Sequence, residues 1–81
     1  MAPVYSRILL LGGSGFVGRH LAAELATRGH QVTLPCRRPD RIRELRILPG
    51  LNIIDEADIT TPDSLLRLTR GQDAVINLVG I

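Results

Sequence analysis

The apolar run Ile8-Leu9-Leu10-Leu11 leads directly into Gly12-Gly13-Ser14-Gly15-Phe16-Val17-Gly18, and an amphipathic segment follows. A buried strand, a glycine turn and a helix in that order point to a phosphate-binding βα unit. The glycines at 12, 15 and 18 have Gly-x-x-Gly-x-x-Gly spacing. Gly12 or Gly13 can take a positive φ that a side chain would penalise. Gly15 lets backbone approach a pyrophosphate, and Gly18 lets the helix lie close on the strand. The first-turn amides then face the ligand at the positive end of the helix dipole. Residues 12–18 are therefore a candidate dinucleotide site, with Ser14 able to add a hydroxyl. A plain βα turn without a ligand is the competing reading. A Walker-type phosphate loop is excluded, because Arg19-His20 stands where Lys followed by Ser or Thr is needed.

The rest of the chain repeats the alternation. Residues 7–11 read as a fully buried parallel strand, short, apolar and not alternating. Residues 16–28 read as a helix whose apolar positions Val17, Leu21, Leu25 and Ala22 fall at three- and four-residue steps. Gly29 suits its stop. A second strand covers 31–34, extending at most to Cys36. Pro35 lies inside it and cannot donate to a ladder, so the strand is expected to be cut short near Leu34 or to lose its pairing locally. A second helix is predicted over 40–48, with Ile42, Leu45 and Leu48 as its stripe and Pro49-Gly50 at its end. A third strand follows at 51–57. Thr60-Thr61-Pro62-Asp63 starts a third helix through Thr69, closed by Gly71. A fourth buried strand occupies 74–79. The order β-α-β-α-β-α-β with right-handed crossovers predicts an α/β fold: a partial Rossmann-type parallel sheet, strand order 3-2-1-4. Residues 1–81 are read as the N-terminal portion of one such domain, with no second domain.

Composition narrows the chemistry. The chain has 81 residues, of which only one is Phe and one Tyr, so Leu, Ile, Val and Ala must fill the core. A domain of this size buries only ~60–65% of its unfolded surface. All ten basic residues are Arg, which excludes any mechanism needing a lysine amine within the chain. The single cysteine, Cys36, permits no internal disulfide, and a reducing, cytoplasmic setting is the default. No apolar run approaches the ~20 residues of a membrane span. His20 and His30 are expected at the surface, without the third ligand of a metal site.

Three further positions bear on a dinucleotide. A site that prefers NAD(H) places Asp or Glu at the end of the second strand to hold the ribose hydroxyls. Arg37 and Arg38 stand there instead, and a guanidinium fork pairs with a 2′-phosphate. NADP(H) is favoured over NAD(H). The same arginines, with Arg41, Arg43 and Arg46, could form only a solvated basic face. Nucleic acid is set aside, since no aromatic interleaving or RNA-binding motif accompanies them. Asp58 can accept from an adenine amino group with Ile59 flanking the ring, or it can cap the following helix. Gly80 would let backbone pass close to a cofactor ribose, or it is simply the glycine of a strand end. Asn77 is polar in an apolar strand and should tie neighbouring backbone together. The outer edge of the fourth strand, if left open, invites self-association.

At Ile-Leu-Leu-Leu-Gly-Gly-Ser-Gly-Phe-Val-Gly-Arg-His-Leu (8–21), Arg37-Arg38, Asp58-Ile59 and Asn77-Leu78-Val79-Gly80-Ile81, the chain resembles the short-chain dehydrogenase/reductase superfamily in its extended and atypical branches. It is similar to the group of nucleoside-diphosphate-sugar epimerases, dehydratases and the NADPH-binding accessory subunit of respiratory complex I. The resemblance implies that Gly12, Ser14, Gly15, Phe16, Val17 and Gly18 hold the pyrophosphate, and that Arg37 and Arg38 meet the 2′-phosphate. It places Asp58 and Ile59 at the adenine, and Val79 and Gly80 at the ribose. It also implies a Tyr-x-x-x-Lys pair for proton transfer in active enzymes. Tyr5 is the only Tyr and precedes the first strand, so no catalytic residue is assigned. Two functions follow as expectations: the dinucleotide-binding portion of an oxidoreductase, epimerase or dehydratase relative, or a non-enzymatic NADPH-binding structural or assembly subunit.

Overall fold

The computed structural model describes residues 6–12, 15–36, 45, 47–55, 59 and 61–79. Its elements are β1 (Arg7–Leu11), α1 (Phe16–Thr27), β2 (Gln31–Cys36), β3 (Leu51–Asp55), α2 (Pro62–Thr69) and β4 (Ala74–Asn77). The four strands form one parallel sheet in the order β3-β2-β1-β4. This is the expected order, and β1 sits where the chain reverses its direction of travel across the sheet. The helix expected over 40–48 lies mostly outside the described residues. Its end is a tight turn in which the Leu48 amide donates to the Leu45 carbonyl at 3.1 Å.

Side-chain alternation on β1 divides the core into two layers. Leu10 packs with Val32, Leu34, Cys36, Ala22, Ala26 and Leu45 on the α1 face. Leu9 and Leu11 pack with Leu68 on the α2 face, where Ile54, Ile59 and Leu65 close around them. Cys36 is thus a small core residue. The buried face of α1 includes Ala22 as expected but otherwise differs from the expected stripe. Gly18, Ala22 and Ala26 point inward, Leu21 and Leu25 lie half-buried at the flank, and Val17 is exposed. Small residues one turn apart let the helix axis approach the sheet, and closeness of packing decides the face over side-chain size.

Of the two outcomes expected at Pro35, the strand is not cut short, since it runs to Cys36, but its pairing with β1 does end before that residue. In a parallel strand the amides of alternate residues point to opposite neighbours. The Gln31 amide donates to Ser6 on the β1 side at 3.0 Å, and the Val32 amide donates to Gly50 on the β3 side at 2.7 Å. The nitrogen of Pro35 therefore points toward β1. Pairing with β1 has already ended at Leu9↔Thr33, while pairing with β3 continues to Cys36↔Asp55. The missing donor falls where no ladder exists.

The connections are fixed by local hydrogen bonds. At the end of α1 the His30 amide donates to Leu25 and the Gly29 amide to Ala26, a Schellman closure with Gly29 at φ +97°. His30 is half-buried rather than a surface residue: its Nδ1 accepts from the Ser6 amide at 3.2 Å. That geometry puts the ring proton on Nε2. Asp73 sets the β1–β4 register, because its carboxylate accepts from the Arg7 amide at 2.8 Å and its own amide donates to the Arg7 carbonyl at 2.7 Å. The fourth strand is shorter than expected and is not buried: Ala74, Val75 and Asn77 are exposed along it.

Two glycines with similar backbone separate conformational strain from crowding. A Cβ on Gly50 (φ +83°) would lie 2.8 Å from the His30 carbonyl oxygen, whereas one on Gly71 (φ +75°) would meet, among the described residues, only the Arg7 guanidinium at 3.7 Å. Gly71→Ala should cost about 1 kcal/mol, the left-handed penalty alone. Gly50→Ala should cost at least about 1 kcal/mol more, because backbone must move. Urea denaturation of both variants checks this, and equal losses would contradict the His30 contact.

Candidate functional site

All four strands end on the same side of the sheet, at Leu11, Cys36, Asp55 and Asn77. In open α/β sheets ligands gather outside the carboxyl ends, where the strand order reverses. Here that point lies between the end of β1 and the end of β4. A cavity of about 400 Å³ at the opposite end, lined by Arg7, Gln31, Thr33, Asn52 and Gln72, lies away from it.

Gly12 leaves β1 at φ +80°. A Cβ there would also stand 3.0 Å from both the Leu78 carbonyl carbon and the Val79 nitrogen. Glycine is required at position 12 on two counts, backbone conformation and backbone crowding. Gly15 is different. It is the N-cap of α1 with φ −75° and ψ 176°, extended backbone open to any residue. Among the described residues, a Cβ on it would meet only the Gly12 carbonyl oxygen, at an ordinary 3.9 Å. The described fold has no need for glycine at 15, so the space left there is available to something else.

The helix that begins here is left open at its amino end. The Arg19 amide donates to the Gly15 carbonyl at 2.9 Å, which starts the α-helical ladder. The amides of Phe16, Val17 and Gly18 precede it and have no acceptor within the helix. Gly15 offers no capping side chain, and no acidic residue stands in the first turn. The contrast with α2 is direct. There Thr61 Oγ1 accepts from the Ser64 amide at 3.3 Å, Pro62 occupies the first turn and Asp63 complements the dipole. One helix supplies its own acceptors; the other has none for these amides among the described residues and presents a positive end suited to an anion.

The remaining candidates fall into two groups. Phe16 is 72% exposed with its ring 4.5 Å from that of His20, and the His20 Nδ1 lies 2.9 Å from the Phe16 carbonyl oxygen. Val17 is exposed and Gly18 is buried against the sheet. Val79 is half-exposed beside Gly12, and Ile59 is half-buried against Leu9, Leu11 and Leu68. The structure thus brings Gly12, Gly15, Phe16, Val17, Gly18 and Val79 to the carboxyl end of the sheet. Gly13, Ser14, Arg37, Arg38, Asp58 and Gly80 lie outside the described residues. Arg37 and Arg38 directly follow Cys36, the last residue of β2.

Sequence reasoning missed Leu78, whose peptide is the nearest wall of the glycine turn. Only the pairing register, Leu11↔Asn77, brings the two segments together. Among the described residues no group of three or more His, Cys, Asp or Glu could hold a metal, and no helix is long and apolar enough to cross a membrane.

Comparison with known proteins agrees with this geometry. A family described as NAD(P)H-binding matches residues 12–81. The chain is 31% identical over 87 residues to the isoflavone reductase homolog IRL of Zea mays, a match covering 99% of this chain and 28% of that protein. It is 39% identical over 74 residues to the epimerase family protein SDR39U1 of Bos taurus, covering 91% of this chain and 20% of the relative. It is also 36% identical over 74 residues to the mitochondrial NADH dehydrogenase [ubiquinone] 1 alpha subcomplex subunit 9 of Dictyostelium discoideum, covering 88% and 21%. The chain spans less than a third of the length of these relatives.

Proposed function

The chain belongs to the NAD(P)H-binding family, in the extended short-chain dehydrogenase/reductase superfamily, and from that premise we propose which residues hold the nicotinamide dinucleotide and which form it prefers. The pyrophosphate lies against Gly12, Gly13, Ser14, Gly15, Phe16, Val17 and Gly18. It takes hydrogen bonds from the uncapped amides of α1. The adenosine ribose passes Val79 and Gly80, and the adenine lies by Asp58 and Ile59. Gly15 carries this reading. Its backbone and surroundings would accept a side chain, so its lack of one leaves room for the diphosphate.

Gly15 also supplies the test. Gly15→Asp gives α1 the side-chain cap it lacks, which should change stability by only a few tenths of a kcal/mol, in the stabilising direction. The same carboxylate fills the anion position. NADPH affinity should fall about 10- to 100-fold, the scale of lost charge-assisted hydrogen bonds. Thermal shift with NADPH, NADH and AMP reads both effects. Unchanged NADPH affinity in the folded variant, or no shift of the parent chain with any ligand, would overturn the reading.

NADP(H) is the preferred form, because Arg37 and Arg38 stand where a ribose-binding carboxylate would exclude a 2′-phosphate. Replacing both by Ala should weaken NADPH about tenfold or more and NADH by less than about twofold. An equal loss for the two cofactors would refute the assignment.

The function proposed is binding rather than turnover by these 81 residues, which are read as the first part of one domain. The sequence holds one Tyr, before β1, and no Lys. For a longer protein containing this chain, an oxidoreductase, epimerase or dehydratase is the leading proposal, in keeping with the reductase and epimerase relatives. A non-enzymatic subunit that uses the dinucleotide as a structural staple is the second, favoured by the likeness to the NADH dehydrogenase subunit. A cytoplasmic setting is part of the same reading and rests on the sequence holding a single cysteine, which permits no internal disulfide.

Self-association through β4 belongs to the proposal as well. Its outer side faces no other strand among the described residues, Val75 is 48% exposed, and residues 74–79 carry no charge to discourage pairing. Sedimentation velocity should show concentration-dependent dimers, and Val75→Lys should reduce them. A monomer at all concentrations would contradict this.

A further inference from the structure

We propose that Asn77 is a positioning residue for the dinucleotide turn, acting through the Leu78–Val79 peptide on Gly12; this rests on the binding site proposed above. Asn77 stands opposite Leu11, the last residue of β1, so it marks the level at which the chain enters the glycine turn. Its Oδ1 accepts from the Val79 amide at 2.9 Å. The preceding amide, Leu78, donates to the Leu11 carbonyl at 2.9 Å. Two successive amides are therefore tied, one to the neighbouring strand and one to the Asn77 side chain.

The peptide they fix is the one that Gly12 approaches. A Cβ on Gly12 would be 3.0 Å from its carbonyl carbon and from its nitrogen, and 3.3 Å from its oxygen. With no side chain between them, the turn and the end of β4 meet backbone to backbone, and the position of one sets the position of the other. The side-chain bond turns the Val79 N–H toward Asn77 and holds the peptide as a wall of the turn. An Asx turn is a local device that needs no further partner. Without it the Val79 amide can seek water instead, and the wall against which Gly12 keeps its φ of +80° loosens. Asn77 need not touch the dinucleotide to affect how well the turn receives it.

The test isolates the acceptor. Asn77→Ala removes it, and Asn77→Ser restores a hydroxyl that can accept from the same amide. Asn77→Val and Asn77→Thr repeat the comparison on a β-branched frame suited to a strand end, should the Ala variant fold poorly. NADPH dissociation constants are measured by titration calorimetry at a temperature where every variant is folded. Ala and Val should bind about tenfold more weakly than the parent, the scale of one lost hydrogen bond, with Ser and Thr within about threefold of it. Val32→Ala, which opens the core at the amino ends of the strands, the opposite end of the sheet from the turn, should lower the melting temperature and leave the dissociation constant unchanged. Ala and Val variants that melt earlier but bind as the parent does would reduce Asn77 to a strand terminator and overturn the proposal. A parent chain that does not bind NADPH would sink the binding site itself, and the positioning role with it.

Discussion

The close seat of α1 on the sheet is the constraint from which the rest of the site follows. Three small residues one turn apart, Gly18, Ala22 and Ala26, form its buried face. The Schellman closure at Gly29 fixes its far end against the start of β2. The positive end of the helix is thereby set over the carboxyl end of β1, the strand flanked by β2 on one side and β4 on the other. A larger residue at 18 or 22 would lift the helix and carry its free amides away from the turn. Packing and binding are linked here through the same atoms, because the residues that bring the helix close are also the ones that aim its dipole.

The two helices show what that arrangement costs. Residues 61–64 give α2 a hydroxyl cap, a proline and a carboxylate at its start. The start of α1 has none of these, and a glycine in place of a capping side chain costs roughly a few tenths of a kcal/mol. A sequence able to cap one helix leaves the other open at the place where the strand order reverses. The two turn glycines divide the labour in a way that spacing alone cannot show. Gly12 satisfies the fold, through its positive φ and the Leu78–Val79 peptide beside it; Gly15 satisfies no visible demand of the fold.

Much of this was legible in the sequence, for identifiable reasons. Strand order follows from alternating apolar runs and glycine stops, because parallel neighbours joined by right-handed crossovers have few alternatives. The glycine turn and its helix follow from residue types that are nearly unique in their backbone freedom. Contacts between distant segments were less accessible. At Pro35 either the strand or only its pairing could end, because sequence does not say which neighbour a given amide faces; the register places its nitrogen beyond the end of the β1 ladder. The face of α1 was assigned by hydrophobicity, whereas the fold selected for small size. His30 looked like a surface residue since its partner, the Ser6 amide, is 24 positions away. Asn77 was readable as a tie to neighbouring backbone. That the tied peptide is the wall of the Gly12 turn depends on the β1–β4 register.

That register also bears on cohesion. The α2-face cluster has only three buried members among the described residues, and β4 is largely exposed. β4 is held by its pairing with β1, by Asp73 at one end and by the Leu78 amide at the other. A dinucleotide lying against Gly12 and Val79 would touch the chain just past the ends of both strands. Binding to the folded state alone adds RT ln(1 + [L]/Kd), about 2.7 kcal/mol at a hundredfold excess over Kd. Folded domains have ΔG of only about 5–15 kcal/mol, and a small one lies toward the lower end. A ligand of ordinary affinity would then supply a sizeable fraction of the free energy that keeps β4 on the sheet. On that arithmetic, recognising the dinucleotide and completing the fold are two consequences of the same contacts, whether or not chemistry is done on the cofactor.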